Sequence, residues 1–161
     1  LRCYCFLRNV VDTLFHGKTA WKARFGEDFK HQVLPFGCEI KYLPRSENEK
    51  QKLHAFGDQW LQGIFLGYLQ QKGGGFSKQF IIVDWDDLHN AESVGRVMQQ
   101  VKHCHHEEVR PVMYNDEFRF PLAEGDLDQP GVSASVTRKI TIKKRKAAEA
   151  VEVEEVKPTK I

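Results

Sequence analysis

At Pro35 the hydrophobic pattern of this chain changes period, and that change limits it to an α+β fold with its helices first. Before the change, Leu1, Cys5, Phe6 and Val10 recur at near-helical spacing with Arg2 and Asn9 off that face, so residues 1–12 read as the end of a helix. Gly17 ends that element, and a short second helix follows, with Thr19 as its N-cap and Gly26 after its last turn. Trp21 and Phe25, four apart, would share one buried face. After the change, Cys38, Ile40 and Tyr42 alternate with Glu39 and Lys41, the signature of a strand. Residues 45–52 are polar and read as an exposed loop, and Ile64 to Leu69 is a near-continuous apolar strand covered on both faces. Gly73-Gly74-Gly75 turns the chain into a partner strand, Phe80 to Val83 with Trp85. A polar excursion runs from Asp86 to Gly95, with further strands expected from Val97 to His105 and from Val109 to Met113. Short antiparallel strands at this spacing predict a small barrel.

Composition sets the outer bounds. With 161 residues, 41% of them hydrophobic, the chain can bury a core of ordinary size. No apolar run reaches the roughly 18 residues of a membrane span, so no membrane partner is expected. The first residues lack the pattern of a signal peptide and begin at Leu1, which reads as a cut within a longer polypeptide. The four cysteines, at 3, 5, 38 and 104, make no paired framework and are expected to be free thiols. Charge is uneven. From Arg138 to Ile161 there are 8 basic and 4 acidic residues, whereas the rest of the chain has 16 basic and 18 acidic. The only concentrated positive field lies in that tail, which follows a linker marked by Gly125, Pro130, Gly131, Ser133 and Ser135. Basic residues lead and acidic residues end the tail, opposing a helix dipole, so a disordered segment is expected.

Several short motifs occur in a definite order. Leu7-Arg8-Asn9 is followed by Lys18-Thr19-Ala20-Trp21, Arg24-Phe25-Gly26, Pro35-Phe36-Gly37-Cys38 and Gly63-Ile64-Phe65-Leu66-Gly67-Tyr68. The set resembles the region just downstream of the catalytic domain in copia-type retrotransposon integrases, part of the Pol polyprotein. The resemblance covers about Leu1 to Pro121 and departs at Ala20, where that family usually has proline. It implies three parts: residues 1–30 as the helical edge of an incomplete catalytic domain, 31–121 as a small Src-homology-like barrel, and 122–161 as linker and tail. It implies a role in DNA integration in the nucleus, by binding DNA or by self-association of integrase subunits. It also implies that the Mg²⁺-binding carboxylates of the parent polynucleotidyl transferase precede Leu1, leaving this chain without a cofactor or catalytic residue of its own. A second reading, of a different class, is a protein- or chromatin-interaction module derived from a transposon.

Two-metal phosphoryl transfer needs converging carboxylates. Asp84, Asp86 and Asp87 follow a strand but read as a solvated acidic loop, and Asp58 with Glu92 is a spacing that arises by chance in an acid-rich chain. His103-Cys104-His105-His106 offers metal ligands, yet on a strand they alternate between faces and do not converge. Cys3 and Cys5 point apart on a helix, and Gly73-Gly74-Gly75 lacks the Lys-Ser/Thr of a phosphate loop. The tail residues Arg138, Lys139, Lys143, Lys144, Arg145 and Lys146 are candidates for a DNA arm or a nuclear localisation signal. Among Tyr42, Phe65, Tyr68, Phe80 and Trp85, most are expected in the core. Tyr68 and Trp85, at strand ends, are expected to be exposed and able to stack on bases.

Overall fold

The Phe36-Gly37-Cys38 turn and the Gly63–Tyr68 segment, far apart in sequence, are hydrogen-bonded neighbours. The Gly37 N–H donates to the Phe65 carbonyl at 2.8 Å, and the Phe65 N–H donates to the Cys38 carbonyl at 3.0 Å. Gly37 takes φ +83°, a conformation that a side chain would strain. The computed structural model in which this is seen describes residues 2–127. Six helices lie among the described residues: α1 (Arg2–Val11), α2 (Ala20–Phe25), α3 (Glu47–Lys50), α4 (Trp85–His89), α5 (Val94–Gln99) and α6 (Pro121–Glu124). The strands are β1 (Glu39–Tyr42), β2 (Leu61–Gln70), β3 (Phe76–Asp84), β4 (Lys102–His105), β5 (Val109–Pro111), β6 (Met113–Tyr114) and β7 (Glu117–Phe118). The expected mixture of helix and strand is present. No helix among the described residues is long and apolar enough to cross a membrane.

β1 to β5 form one antiparallel sheet in the order β4-β3-β2-β1-β5, and β6 and β7 form a separate hairpin. The expected barrel is not closed. The chain passes from one edge strand to the other through a single 3₁₀ turn, His106–Glu108. β4 and β5 are the two edges of the sheet, and no ladder joins them. The sheet is covered on both faces. One core contains Phe6, Leu34, Cys38, Ile40, Tyr42, Phe65, Tyr68 and Phe80. The other contains Ile64, Val83, Leu88, Val97 and Leu127. Ile64 and Phe65 lie on opposite faces, as alternation requires.

That alternation is broken between Phe65 and Gly67, and again between Tyr68 and Gln70, and the first break has consequences. Phe65 pairs with Ile82 and Gly67 with Ile81, so β2 carries one extra residue, a bulge at Leu66. Beyond the bulge, Tyr68 returns to the face that Phe65 occupies. It is only 5% exposed, which corrects the expectation of an exposed Tyr68. Its ring stacks on Phe6 of α1 with centroids 4.3 Å apart, and its hydroxyl bonds both the N–H and the carbonyl of Leu34. Helix α1 therefore packs into the core of the sheet through Cys3, Phe6 and Val10. Gly63 allows another close approach: a Cβ there would sit 2.7 Å from the Val83 carbonyl oxygen.

Other expectations hold in part. Thr19 caps α2, accepting from the Lys22 N–H at 3.1 Å, and Gly26 ends it in the left-handed region at φ +80°. Trp21 and Phe25 touch at 4.4 Å between centroids, but Trp21 is half-buried and Phe25 exposed, because the helix has only six residues and lies at the surface. The loop expected at 45–52 contains α3, closed by a Ser46–Glu49 capping box. The excursion expected at 86–95 holds α4 and the start of α5. Val97, expected in a strand, lies in α5 and is buried in the second core, and only Lys102–His105 is strand. Order extends past Pro121. α6 begins with that proline, ends at Gly125 with φ +88°, and places Leu127 at 2% exposure.

Two substitutions test this packing. Phe65→Ala is expected to cost about 3–5 kcal/mol. Tyr68→Phe, which keeps the ring but orphans the buried Leu34 backbone, is expected to cost about 1–3 kcal/mol. Chemical denaturation reads both, and a Phe65→Ala midpoint equal to that of the parent would show the residue outside the core.

Candidate functional site

The densest polar cluster is built at the end of β3, where Asp84 is buried at 2% exposure. Its side chain caps α4, accepting from the N–H groups of Asp86 at 3.0 Å and Asp87 at 3.4 Å. It also accepts from the Tyr42 hydroxyl and, at 3.0 Å, from Lys52 Nζ. Tyr42 in turn accepts from Lys102 Nζ at 3.3 Å, and Lys102 pairs with Glu49 at 2.6 Å. A chain of partners, Lys52–Asp84–Tyr42–Lys102–Glu49, thus ties β1, α3, α4 and β4 to the end of β3. The expected solvated acidic loop is corrected by this geometry: Asp86 is exposed, Asp87 half-buried, and Asp84 an interior cap.

The protonation equilibria follow from the packing. Burial raises the Asp84 carboxyl, but hydrogen bonds from Tyr42 and Lys52 outweigh it and leave the pKa below its ordinary value. Burial likewise raises Glu49, and Lys102 with the backbone N–H groups of Ser46 and Arg45 brings it down to about 2. Burial, then the bond to the Asp84 carboxylate, pushes the Tyr42 phenol far up, so it serves as a donor and not as an acid. On the far face of β1, Glu39 is also buried, with Arg119 Nη1 3.1 Å from its Oε2. Burial raises its pKa against the pull of Arg119.

A cavity of about 340 Å³ opens beside Asp84. Its lining includes Trp60, Trp85, Lys41, Lys52, Asp58 and Asp86. Trp85, expected as an exposed stacking residue, is half-buried as the first residue of α4 and packs against the second core. Trp60 carries the Arg110 guanidinium over its ring, 4.5 Å from the centroid. Lys41 is paired with Asp58 and Lys52 with Asp84, so the cationic groups of the cavity are already neutralised. The structure therefore separates the two aromatic candidates, with Tyr68 locked in the core and Trp85 at a cavity wall. Arg138, Lys139, Lys143, Lys144, Arg145 and Lys146 lie outside the described residues.

Among the described residues no group of three or more His, Cys, Asp or Glu side chains is arranged to hold an ion. The oxygens of Asp84 are taken up by the cap, Tyr42 and Lys52, and Glu92 is exposed. In the histidine run, His103 is exposed and Cys104 buried on opposite faces of β4, while His106 turns into the 3₁₀ segment. His106 lies 4.6 Å between ring centroids from both His31 and His105. Burial, then the charges of His31 and His105, lowers its pKa below the usual imidazole value. Cys3, Cys38 and Cys104 are buried and unpaired, with burial raising Cys38 to about 12 and the other two to about 11.

Sequence reasoning missed Lys52, Glu49, Trp60 and Arg110. Ser46 and Glu49, three apart, were a readable capping signal. Nothing in the sequence marks Arg110 as the partner of Trp60, since they meet only across the sheet. Comparison of the chain with protein-family models, characterised proteins and solved structures finds no match in any of the three.

The depressed carboxylates make stability acid-sensitive. Glu49 and Asp84 stabilise the fold above their ordinary pKa values, and that contribution is lost as pH falls through the folded ones. For Glu49 the window runs from 4.5 down to about 2. Denaturation midpoints are expected to fall across this range, and Glu49→Gln is expected to flatten the profile. An equally steep profile in Glu49→Gln would remove Glu49 from the account.

Proposed function

We propose that this chain is the non-catalytic back end of a copia-type retrotransposon integrase, taking part in DNA integration in the nucleus by contacting DNA or assembling subunits. The supporting observation is convergence. The segments that resemble the family meet on one core: Leu7 and Trp21 pack against the cluster that holds Cys38, Phe65 and Tyr68, and Gly37 and Cys38 bond Phe65. Motifs that share a core are expected to occur together and in order, as they do here. On this reading the five-stranded sheet with its 3₁₀ return is an open form of the Src-homology-like barrel, and the Mg²⁺-binding carboxylates belong to the preceding part of the parent. The reading as an interaction module has its own support in the aromatic cavity of Trp60 and Trp85, whose lysines are already paired.

Two measurements test the reading. The chain alone is expected to give no 3′-processing or strand transfer on labelled donor ends with Mg²⁺ or Mn²⁺. Product that disappears in Asp84→Asn would place a metal site here after all. The chain is also expected to bind short duplex DNA with a slope of log affinity against log salt of about −3 to −5, at about 0.9 per phosphate neutralised. Removal of Arg138–Ile161 is expected to take away most of that slope. Absence of binding at low salt would favour the interaction module.

A further inference from the structure

Residues 1–11, 13–26 and 59–83 contain no acidic residue. Each segment carries cations, and the structure brings their ends together. Arg2, at the start of α1, and Lys72, at the end of β2, line one cleft of about 420 Å³ with Gln70 and Gln71. No carboxylate lines it. The turn Gly73-Gly74-Gly75 follows directly, with φ values of +100° and +85° at Gly73 and Gly74. Arg24, from the end of α2, lies against that turn, so that a Cβ at Gly74 would meet its Nη1 at 3.3 Å. Phe25 beside it is exposed, with the Arg24 guanidinium 5.5 Å from its ring centroid.

Most of the other lysines and arginines of the described residues are neutralised. Arg8 pairs with Asp12, Lys22 with Asp28, Lys41 with Asp58, Lys52 with Asp84, Lys102 with Glu49, and Arg119 with Glu39. Arg2, Arg24 and Lys72 make no ion pair among the described residues, and all three are exposed. A chain whose residues outside the tail are slightly acidic overall thus presents one cleft whose lining has cations and no carboxylate, beside a glycine turn that a polyanion can approach closely.

We propose that this end of the molecule, formed by Arg2, Arg24, Lys72 and the Gly73–Gly75 turn, is a docking surface for the phosphate backbone of duplex DNA. The inference rests on the DNA-contacting form of the function proposed above and adds a place for the contact apart from the tail. Contacts of this kind are sequence-independent: cations pair with phosphate oxygens and release counterions, and the glutamines supply neutral donors. Phe25 adds apolar contact at the edge.

The test uses the full 161-residue chain and fluorescence anisotropy with a short labelled duplex over a salt series. The double variant Arg24→Gln/Lys72→Gln is expected to lower the magnitude of the salt slope by about 1.8, two contacts at about 0.9 each. The single variant Lys72→Gln, in an exposed turn, is expected to lower it by about 0.9 and guards against misfolding of the double variant. Lys30→Gln/Lys50→Gln, which removes exposed cations already paired with Glu27 and Glu47, is the control and should leave the slope unchanged. A chain that binds duplex with the same slope in all variants would overturn the docking surface while leaving the DNA reading intact. A chain that fails to bind duplex at low salt would overturn both. Binding to phosphatidylserine vesicles that is lost in the double variant, without duplex binding, would assign the surface to a membrane and overturn the proposal.

Discussion

The extra residue at Leu66 is the constraint on which the rest of the fold depends. Without the bulge, strict alternation would carry Tyr68 to the face opposite Phe65. With it, Tyr68 enters the core, where its ring stacks on Phe6 and its hydroxyl bonds both backbone groups of Leu34. The N-terminal helix and the segment leading into β1 are thereby fastened to the sheet by one side chain. Phe29 and Phe76 close the same aromatic cluster, each with its ring edge-on to Tyr68. Such pairs add about 0.5–1.5 kcal/mol each beyond the area they bury.

The second organising feature is electrostatic. Asp84 is an ionised group in the interior, tolerated because its oxygens accept from Tyr42, Lys52 and the backbone of α4. Removing one partner would leave a buried charge uncompensated, which is far costlier than never having buried it. The network around it pairs Lys52 and Lys102, and Lys41 of the cavity is paired with Asp58. The opposite end, around the glycine turn, keeps its cations free because the segments that build it contain no acids. One molecule thus has a neutralised end with an aromatic cavity and an unneutralised end with a polar cleft. The two proposed modes of association, with protein and with DNA, map onto these two ends.

Much of the local structure was legible in the sequence. Thr19 and Gly26 bracket α2, Gly73–Gly75 turn the central hairpin, and the change of period at Pro35 marks where the strands begin, because caps, turns and periodicity act over a few residues; the expectation that helices come first is corrected by α3 to α6, which all follow Pro35. Asp84 looked like a surface acid because the partners that bury it, Tyr42 and Lys52, come from other elements. Val97 looked like a strand residue because one apolar side chain among polar ones has no readable period, whereas packing against Leu88 and Ile64 holds it in a helix.

What the sequence determined by itself is the two N-terminal helices, the central hairpin, the identity of the apolar residues, and the absence of acids from residues 1–11, 13–26 and 59–83. What only the tertiary structure decided is the face on which Tyr68 lies, the open edge between β4 and β5, the sharing of one cleft by Arg2 and Lys72, and the packing of Arg24 against the turn that follows. The division has a physical reason. Propensity, capping and charge content are properties of neighbouring residues. Register, closure and the fields of assembled charges depend on distances between residues that the chain places far apart and only the folded core brings together.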